Sequence, residues 1–147
     1  RKYLLDYEKE EYTMELKDTA NLAYNCGRML AIADAIEAWS LRANLSEGSS
    51  EGIRSTNAIR YFTRFSMSPA STWMIIREKL MPHQQRLGAR GGRLYELLGE
   101  ISKKIDPDEF QKAKNLDGSL VLGFDAQRQD LFNNKKEKKE IEYLEEE

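Results

Sequence analysis

The chain has 147 residues, a net charge of −2 and one cysteine, so its length predicts one domain and its composition excludes an internal disulfide. No apolar run approaches the ~20 residues of a transmembrane helix and no signal-peptide pattern is found, which predicts a cytoplasmic protein. Cys26 and the only histidine, His83, cannot assemble a zinc site of the usual Cys/His composition.

The spacing of small and apolar residues predicts a long first helix over residues 8–42. Its small side chains would allow a second helix to approach closely. Cys26 falls on the same face and is interpreted as an inert core residue. The residues that follow one another at intervals of three or four are Leu16, Ala20, Ala23, Gly27, Leu30 and Asp34. The Gly/Ser-rich stretch that follows, residues 44–55, predicts a loop.

A second, amphipathic helix is predicted over residues 56–66. One side carries Ala58, Phe62 and Phe65, with Tyr61 at the border. We expect these rings to pack into the core. The other side is polar and basic, with Asn57, Arg60 and Arg64, and is expected to face outward.

The third helix is predicted to begin with Ser68 as a hydroxyl cap and Pro69 at its first position. It continues through residue 87, and Pro82 is expected to kink it. Its apolar stripe consists of Trp73, Ile76, Leu80 and Leu87. A second basic row follows the helical spacing and consists of Lys79, His83, Arg86 and Arg90.

The rest of the chain also has helical spacing, after a turn at residues 88–92. Asp106 and Pro107 end a fourth helix and start a short fifth, and Asp117 caps a sixth. The sequence therefore predicts an all-α fold, a single compact bundle of about five to six helices over residues 1–134. The charged end, residues 135–147, is predicted to be a frayed or disordered tail. The side chains expected to be buried in this bundle include Trp73, Ile76, Leu80, Leu97, Leu98 and Phe124.

Positive charge is concentrated in the middle of the chain. Residues 54–93 contain eight basic side chains, seven of them arginine, and a single acid, Glu78. This segment carries +7, against −4 for residues 1–53 and −5 for residues 94–147. Most charge runs are solvated helix faces, but such an imbalance also suits a nucleic-acid backbone, because guanidinium groups bind phosphate well.

No active site can be assembled from the sequence. The acidic pairs Asp34/Glu37 and Glu96/Glu100 are interpreted as solvated carboxylates on helix surfaces rather than metal ligands. The glycines of residues 88–92 lack the lysine and hydroxyl of a phosphate-binding loop. We therefore predict neither a metal nor a cofactor, and no enzymatic activity.

Three stretches of the sequence resemble a known family. They are GRMLAIADA at residues 27–35, NAIRYFTRFSMSPASTW at residues 57–73 and LGFDAQRQDLF at residues 122–132. In this order and spacing they resemble the C-terminal region of the large subunit of the type I-C CRISPR surveillance complex, Cascade, across residues 23–136. That region is also made separately as the small subunit, whose length this sequence matches. One departure is Asp125-Ala126, where the family pattern has a Tyr–His pair.

The resemblance implies a non-catalytic helical bundle, present in two copies along the inner face of the complex. Its partners would be the backbone and large subunits, a second copy of itself, the crRNA–target DNA duplex and the displaced non-target strand, with no membrane. In such complexes base pairing reads the sequence, so the protein needs only backbone contacts that stabilise the R-loop. The candidate nucleic-acid contacts are Arg54, Asn57, Arg60, Arg64, Lys79, Arg86, Arg90 and Arg93.

Two alternative functions stay open at this point. The first is an interaction subunit that scaffolds a complex without touching DNA, its arginines pairing with acidic partner proteins. The second is a hydrolytic enzyme built on carboxylates, which the lack of an inward acidic cluster disfavours.

Overall fold

Helices make up the regular structure of the part of the chain that the structure describes. The computed structural model describes residues 15–43 and 55–145, and within these ranges it contains no strand. The helices are α1 (Leu22–Ala43), α2 (Asn57–Arg60), α3 (Phe62–Met67), α4 (Pro69–Leu87), α5 (Gly92–Lys103), α6 (Pro107–Lys112) and α7 (Ser119–Glu145). The predicted all-α fold is confirmed. None of these helices is long and apolar enough to cross a membrane.

Helix α1 begins later than the sequence predicts. Residues 15–21 are not helical, and residues 8–14 of the predicted helix lie outside the described residues. The start is set by Asn21, whose side-chain oxygen accepts a hydrogen bond from the Tyr24 backbone at 2.9 Å. The Tyr24 hydroxyl in turn accepts from the Lys17 backbone at 3.0 Å, which holds the preceding segment against the helix. An asparagine cap of this kind satisfies a backbone N–H that would otherwise have no partner.

Helices α1 and α7 touch backbone to backbone. Asn21 and Ser119, beside the first turns of the two helices, line one cleft, and further along Arg28 Nε donates to Gln127 Oε1 at 2.8 Å. Between these points Gly27 lies against the Leu120 carbonyl and Gly123 against that of Tyr24, so neither position has room for a Cβ. The close packing that the small residues of α1 predict is therefore made with α7.

Helices α4 and α5 also pack against α1 and contribute to its core. Three of the six side chains predicted to be buried, Ile76, Leu80 and Phe124, are buried. Leu97, Leu98 and Trp73 are only partly buried and pack at the edge of the core. The fully buried side chains from several helices include Leu30, Ile36, Phe65, Ile76, Leu94, Ile101 and Leu120.

The predicted second helix is divided in two at Tyr61. This residue has φ −98° and ψ 9°, outside the helical region, so it ends α2 and precedes α3. Pro69 occupies the start of α4 as predicted, but the Ser68 hydroxyl makes no capping hydrogen bond. Helix α4 continues through Pro82 to Leu87, so the proline does not end it.

Asp106 and Asp117, which the sequence places at the starts of two helices, both accept hydrogen bonds from the first backbone N–H groups of those helices. Asp106 accepts from the Asp108 backbone at 3.1 Å, with Pro107 at the first position of α6. Asp117 accepts from the Ser119 backbone at 2.8 Å, where α7 begins. The backbone of α7 is helical as far as Glu145, so the charged end continues this helix. The division into a bundle and a tail stays a prediction.

The different burial of two aromatic residues gives a stability prediction. Phe65 is fully buried and contacts the Trp73 ring edge to face, with centroids 6.3 Å apart. Phe65→Ala should therefore lower the free energy of unfolding by ~3–5 kcal/mol. Trp73→Ala should cost less, because part of that ring already contacts water in the folded protein. Urea denaturation of both variants checks the order, and a larger loss for Trp73→Ala would contradict it.

Candidate nucleic-acid interface

Helices α2 and α3 point their rings inward and their arginines outward, as the sequence predicts. Ala58 and Phe65 are buried, while Arg60 and Arg64 are exposed. Phe62 is half-buried and meets Phe124 of α7 edge to face, with centroids 5.2 Å apart. The aromatic side chains thus fix these short helices to the bundle, and the two guanidinium groups are left at the surface.

Asn57 does not lie among the exposed arginines. It is half-buried, and both its backbone N–H and its side-chain amide donate to Glu37 Oε1, at 3.0 and 2.7 Å. Its amide is therefore engaged with Glu37, and its role as a nucleic-acid contact stays a prediction. Arg54, the first of the candidate residues, lies outside the described residues.

The carboxylates of Asp34 and Glu37 hold the start of α2, so interpreting them as a solvated pair is wrong. Glu37 is only 5% exposed, and Asp34 is half-buried. Thr56 donates its hydroxyl hydrogen to Asp34 Oδ1 at 2.5 Å and accepts from the Ile59 backbone at 3.4 Å. Both carboxylates accept hydrogen bonds from residues at the start of α2. They therefore connect α1 to the segment that carries Arg60.

The basic row predicted on α4 is partly formed. Lys79 and Arg86 are exposed and lie seven residues apart, on one flank of the helix. His83 does not belong to this exposed row. It is half-buried, and its Nδ1 lies 3.0 Å from Oγ of the buried Ser40 of α1. Arg77 is on the opposite flank, because 100° per residue places it about 160–180° from Lys79 and Arg86.

Arg90 and Arg93 are exposed at the end of α4 and the beginning of α5. The predicted turn is a short 3-10 helix, Gly88–Gly91, entered through Gly88 at a φ of 57°. A side chain is strained at this φ, so the turn favours glycine there. We call the exposed basic side chains the basic set: Arg60, Arg64, Lys79, Arg86, Arg90 and Arg93.

Few acidic residues lie near the basic set in the sequence. Glu78 is the only acid in residues 54–93. Arg60, Arg64, Arg90 and Arg93 form no ion pair with another described residue. An ion pair lies elsewhere, between Lys104 and Asp18 at 2.5 Å, and the Lys104 ammonium lowers the pKa of the Asp18 carboxyl. The positive charge of these four arginines is therefore available to a partner that carries negative charge.

Two arginines outside the central segment also contact the bundle, and the sequence analysis missed both. The Arg128 guanidinium lies over the Phe124 ring, 5.5 Å from its centroid, a cation–π contact. Arg28 is 7% exposed and bonds Gln127. The four-residue spacing of Phe124 and Arg128 could have revealed the first contact, because such pairs are neighbours on a helix.

The side chains that could act as a nucleophile or bind a metal ion are the Cys26 thiol and groups of His, Cys, Asp and Glu. Cys26 is fully buried, and burial raises the pKa of its thiol to about 12. At neutral pH this sulfur is a thiol rather than a nucleophilic thiolate. In residues 15–43 and 55–133, no three His, Cys, Asp or Glu side chains converge in a group that could hold a metal ion.

Comparison with protein-family models gives a match. A protein-family model described as CRISPR-associated protein (Cas_Csd1) matches residues 1–132. No curated protein is significantly similar to the chain in sequence. The matched residues include the whole basic set, the Asp34 and Glu37 contacts with α2, and the contact between Arg128 and Phe124.

Proposed function

The chain belongs to the Csd1 family of CRISPR-associated proteins, a family of type I-C Cascade subunits, and we propose that it binds nucleic-acid backbone within that complex without catalysing a reaction. Its part in the complex is that of the small subunit, equivalent to the C-terminal region of the large subunit. There it stabilises the R-loop and the displaced non-target DNA strand.

The observation that carries this proposal is the exposed positive charge of the basic set. Six arginine and lysine side chains are exposed on α2, α3, α4 and the turn into α5. A single acid, Glu78, stands among them in the sequence. Arginine binds phosphate through a planar fork of N–H donors, and each phosphate that it neutralises releases condensed counterions.

Contacts of this kind hold a strand without reading its bases. Phosphate contacts fix the position of a protein on nucleic acid but carry no direct sequence information. In RNA-guided complexes sequence is read by base pairing, so a subunit beside the R-loop needs only to follow the backbone. A set of exposed arginines with no base-reading motif suits this task.

The proposed partners are the backbone and large subunits of the complex, a second copy of this chain, the crRNA–target DNA duplex and the non-target strand, in the cytoplasm. One copy offers few phosphate contacts and should bind DNA weakly alone. Two copies held in one assembly act at a high effective concentration, so their contacts reinforce each other.

Omission of the subunit tests the proposal. A complex assembled without this chain should bind target DNA more weakly, because phosphate contacts along the R-loop are lost, while guide-RNA loading is unchanged. Adding the chain back should restore DNA affinity, measured by titration of labelled target DNA. Unchanged DNA affinity without the chain would contradict the proposal and favour the scaffold that does not touch DNA.

A further inference from the structure

Helix α4 has a second flank that differs from the one with Lys79 and Arg86. It faces α5 across a groove of about 570 Å³, lined by Met74, Arg77, Met81, Trp73 and Leu98. Met74 is 68% exposed and Met81 is 58% exposed. Large apolar side chains of this exposure, gathered around a groove, are typical of surfaces that bind another molecule.

The two methionines are spaced for contact with a helix. They lie seven residues apart, which places them on one side of α4, two turns from each other. A helix that packs along α4 contacts its neighbour at this repeat. Methionine side chains are flexible and polarisable, so they adapt to the side chains of a partner. Trp73 and Leu98, both partly buried, add apolar surface within the groove.

Arg77 determines which charge a partner molecule needs at this part of the groove. It is exposed, lines the groove between the two methionines and forms no ion pair with another described residue. Covering the methionines would remove water from its guanidinium, which is costly unless a carboxylate replaces that water. The complementary partner is therefore a helix with an apolar stripe and an acidic side chain at the level of Arg77.

A nucleic-acid strand fits this groove poorly. The exposed methionines offer nothing to a phosphate, and a strand with a charge on every nucleotide would be repelled by the Glu78 carboxylate at the groove. A protein helix can instead place a single carboxylate beside Arg77 and none beside Glu78. Lys79 and Arg86 lie on the other flank of the same helix, so a strand on the basic set and a protein in the groove could be bound together.

We propose that the groove between α4 and α5 docks an amphipathic helix from another protein subunit of the complex, and that this helix places an acidic side chain beside Arg77. The proposal rests on the chain's membership of a Cascade subunit family and on the groove. It does not require that the basic set binds DNA, so either proposal can fail alone.

The first test replaces both methionines by glutamate and measures assembly. Met74→Glu with Met81→Glu should weaken binding of the labelled chain to a complex assembled without it by at least about tenfold, because both sites lie in the contact. The control is Val121→Glu with Phe132→Glu, two exposed apolar residues of α7, at 48% and 68%, outside the groove. Circular dichroism should show both variants folded.

The second test changes the charge at Arg77. Arg77→Glu should weaken assembly because it repels the acidic side chain of the partner helix, whereas Arg77→Lys should retain most of the affinity. Assembly of the methionine variant at the parent's affinity would overturn the proposal, as would equal loss in the α7 control. Normal assembly with weaker DNA binding and a shallower salt dependence would overturn it too, because the groove would then belong to the nucleic-acid surface.

Discussion

Gly123→Ala should lower the free energy of unfolding by roughly 3 kcal/mol or more, although alanine is the better helix former. The Gly123 Cα faces the Tyr24 carbonyl so closely that a Cβ would lie far inside van der Waals contact with it. Backbone atoms cannot rotate away as a side chain can, so α1 and α7 must move apart. This separation would expose the apolar core between them and also strain the hydrogen bond of Arg28 with Gln127.

Gly99→Ala is the matched control for this prediction. Gly99 is exposed within α5, and a Cβ there would meet nothing within 4 Å. Alanine should therefore stabilise the protein by about 0.5–1 kcal/mol through its helix propensity alone. Urea denaturation of both variants gives the two values. A Gly123→Ala protein as stable as the parent would show that α1 and α7 do not approach at these glycines.

The sequence predicts the helical periodicity and the sidedness of the short helices because both are local properties. Phe65 is buried and Arg64, its neighbour, is exposed, as their positions on a helix require. The caps at Asp106 and Asp117 are local too. The partner of the small-residue face of α1 could not be predicted, because Gly27 and Leu120 are far apart in the chain and meet only in the fold.

The errors at the candidate site have a similar physical cause. Asn57 and Glu37 both occupy polar positions in their helical patterns, so each one alone suggests a solvated side chain. Their hydrogen bond is a tertiary contact, formed because α2 packs with its first turn against α1. Residues 15–21 carry a helical pattern, but the Asn21 side chain caps α1 at Leu22 and so sets the start of the helix.

The double variant Arg60→Ala with Arg64→Ala should weaken DNA binding by the assembled complex at each of several low salt concentrations. If each arginine neutralises one phosphate, the slope of log affinity against log salt should become shallower by roughly 1.4 on single strands and 1.8 on duplex. The loss should be similar for different target sequences, because phosphate contacts carry no sequence information. Both side chains are exposed, so folding should be little disturbed.

A control variant separates phosphate contacts from a general change in charge. Lys112→Ala with Lys114→Ala also removes two exposed positive charges, but outside residues 54–93. The two lysines are close in sequence to Asn115, whose backbone N–H donates to the Met67 carbonyl at the end of α3 at 3.2 Å, so the control changes charge near the arginines. If Arg60 and Arg64 themselves contact phosphate, the lysine variant should lose much less DNA affinity than the arginine variant. Equal losses in the two double variants would assign the effect to net charge rather than to contacts of Arg60 and Arg64.

The salt dependence of DNA binding tests the central claim most directly. Complexes with the parent chain, the Arg60/Arg64 double variant and the lysine control are compared at matched subunit occupancy across one salt series. A slope shallower by roughly 1.4 to 1.8 in the arginine variant alone, for every target sequence, is the result that backbone binding predicts. A slope equal to that of the parent would assign these arginines to protein contacts and contradict the proposed function.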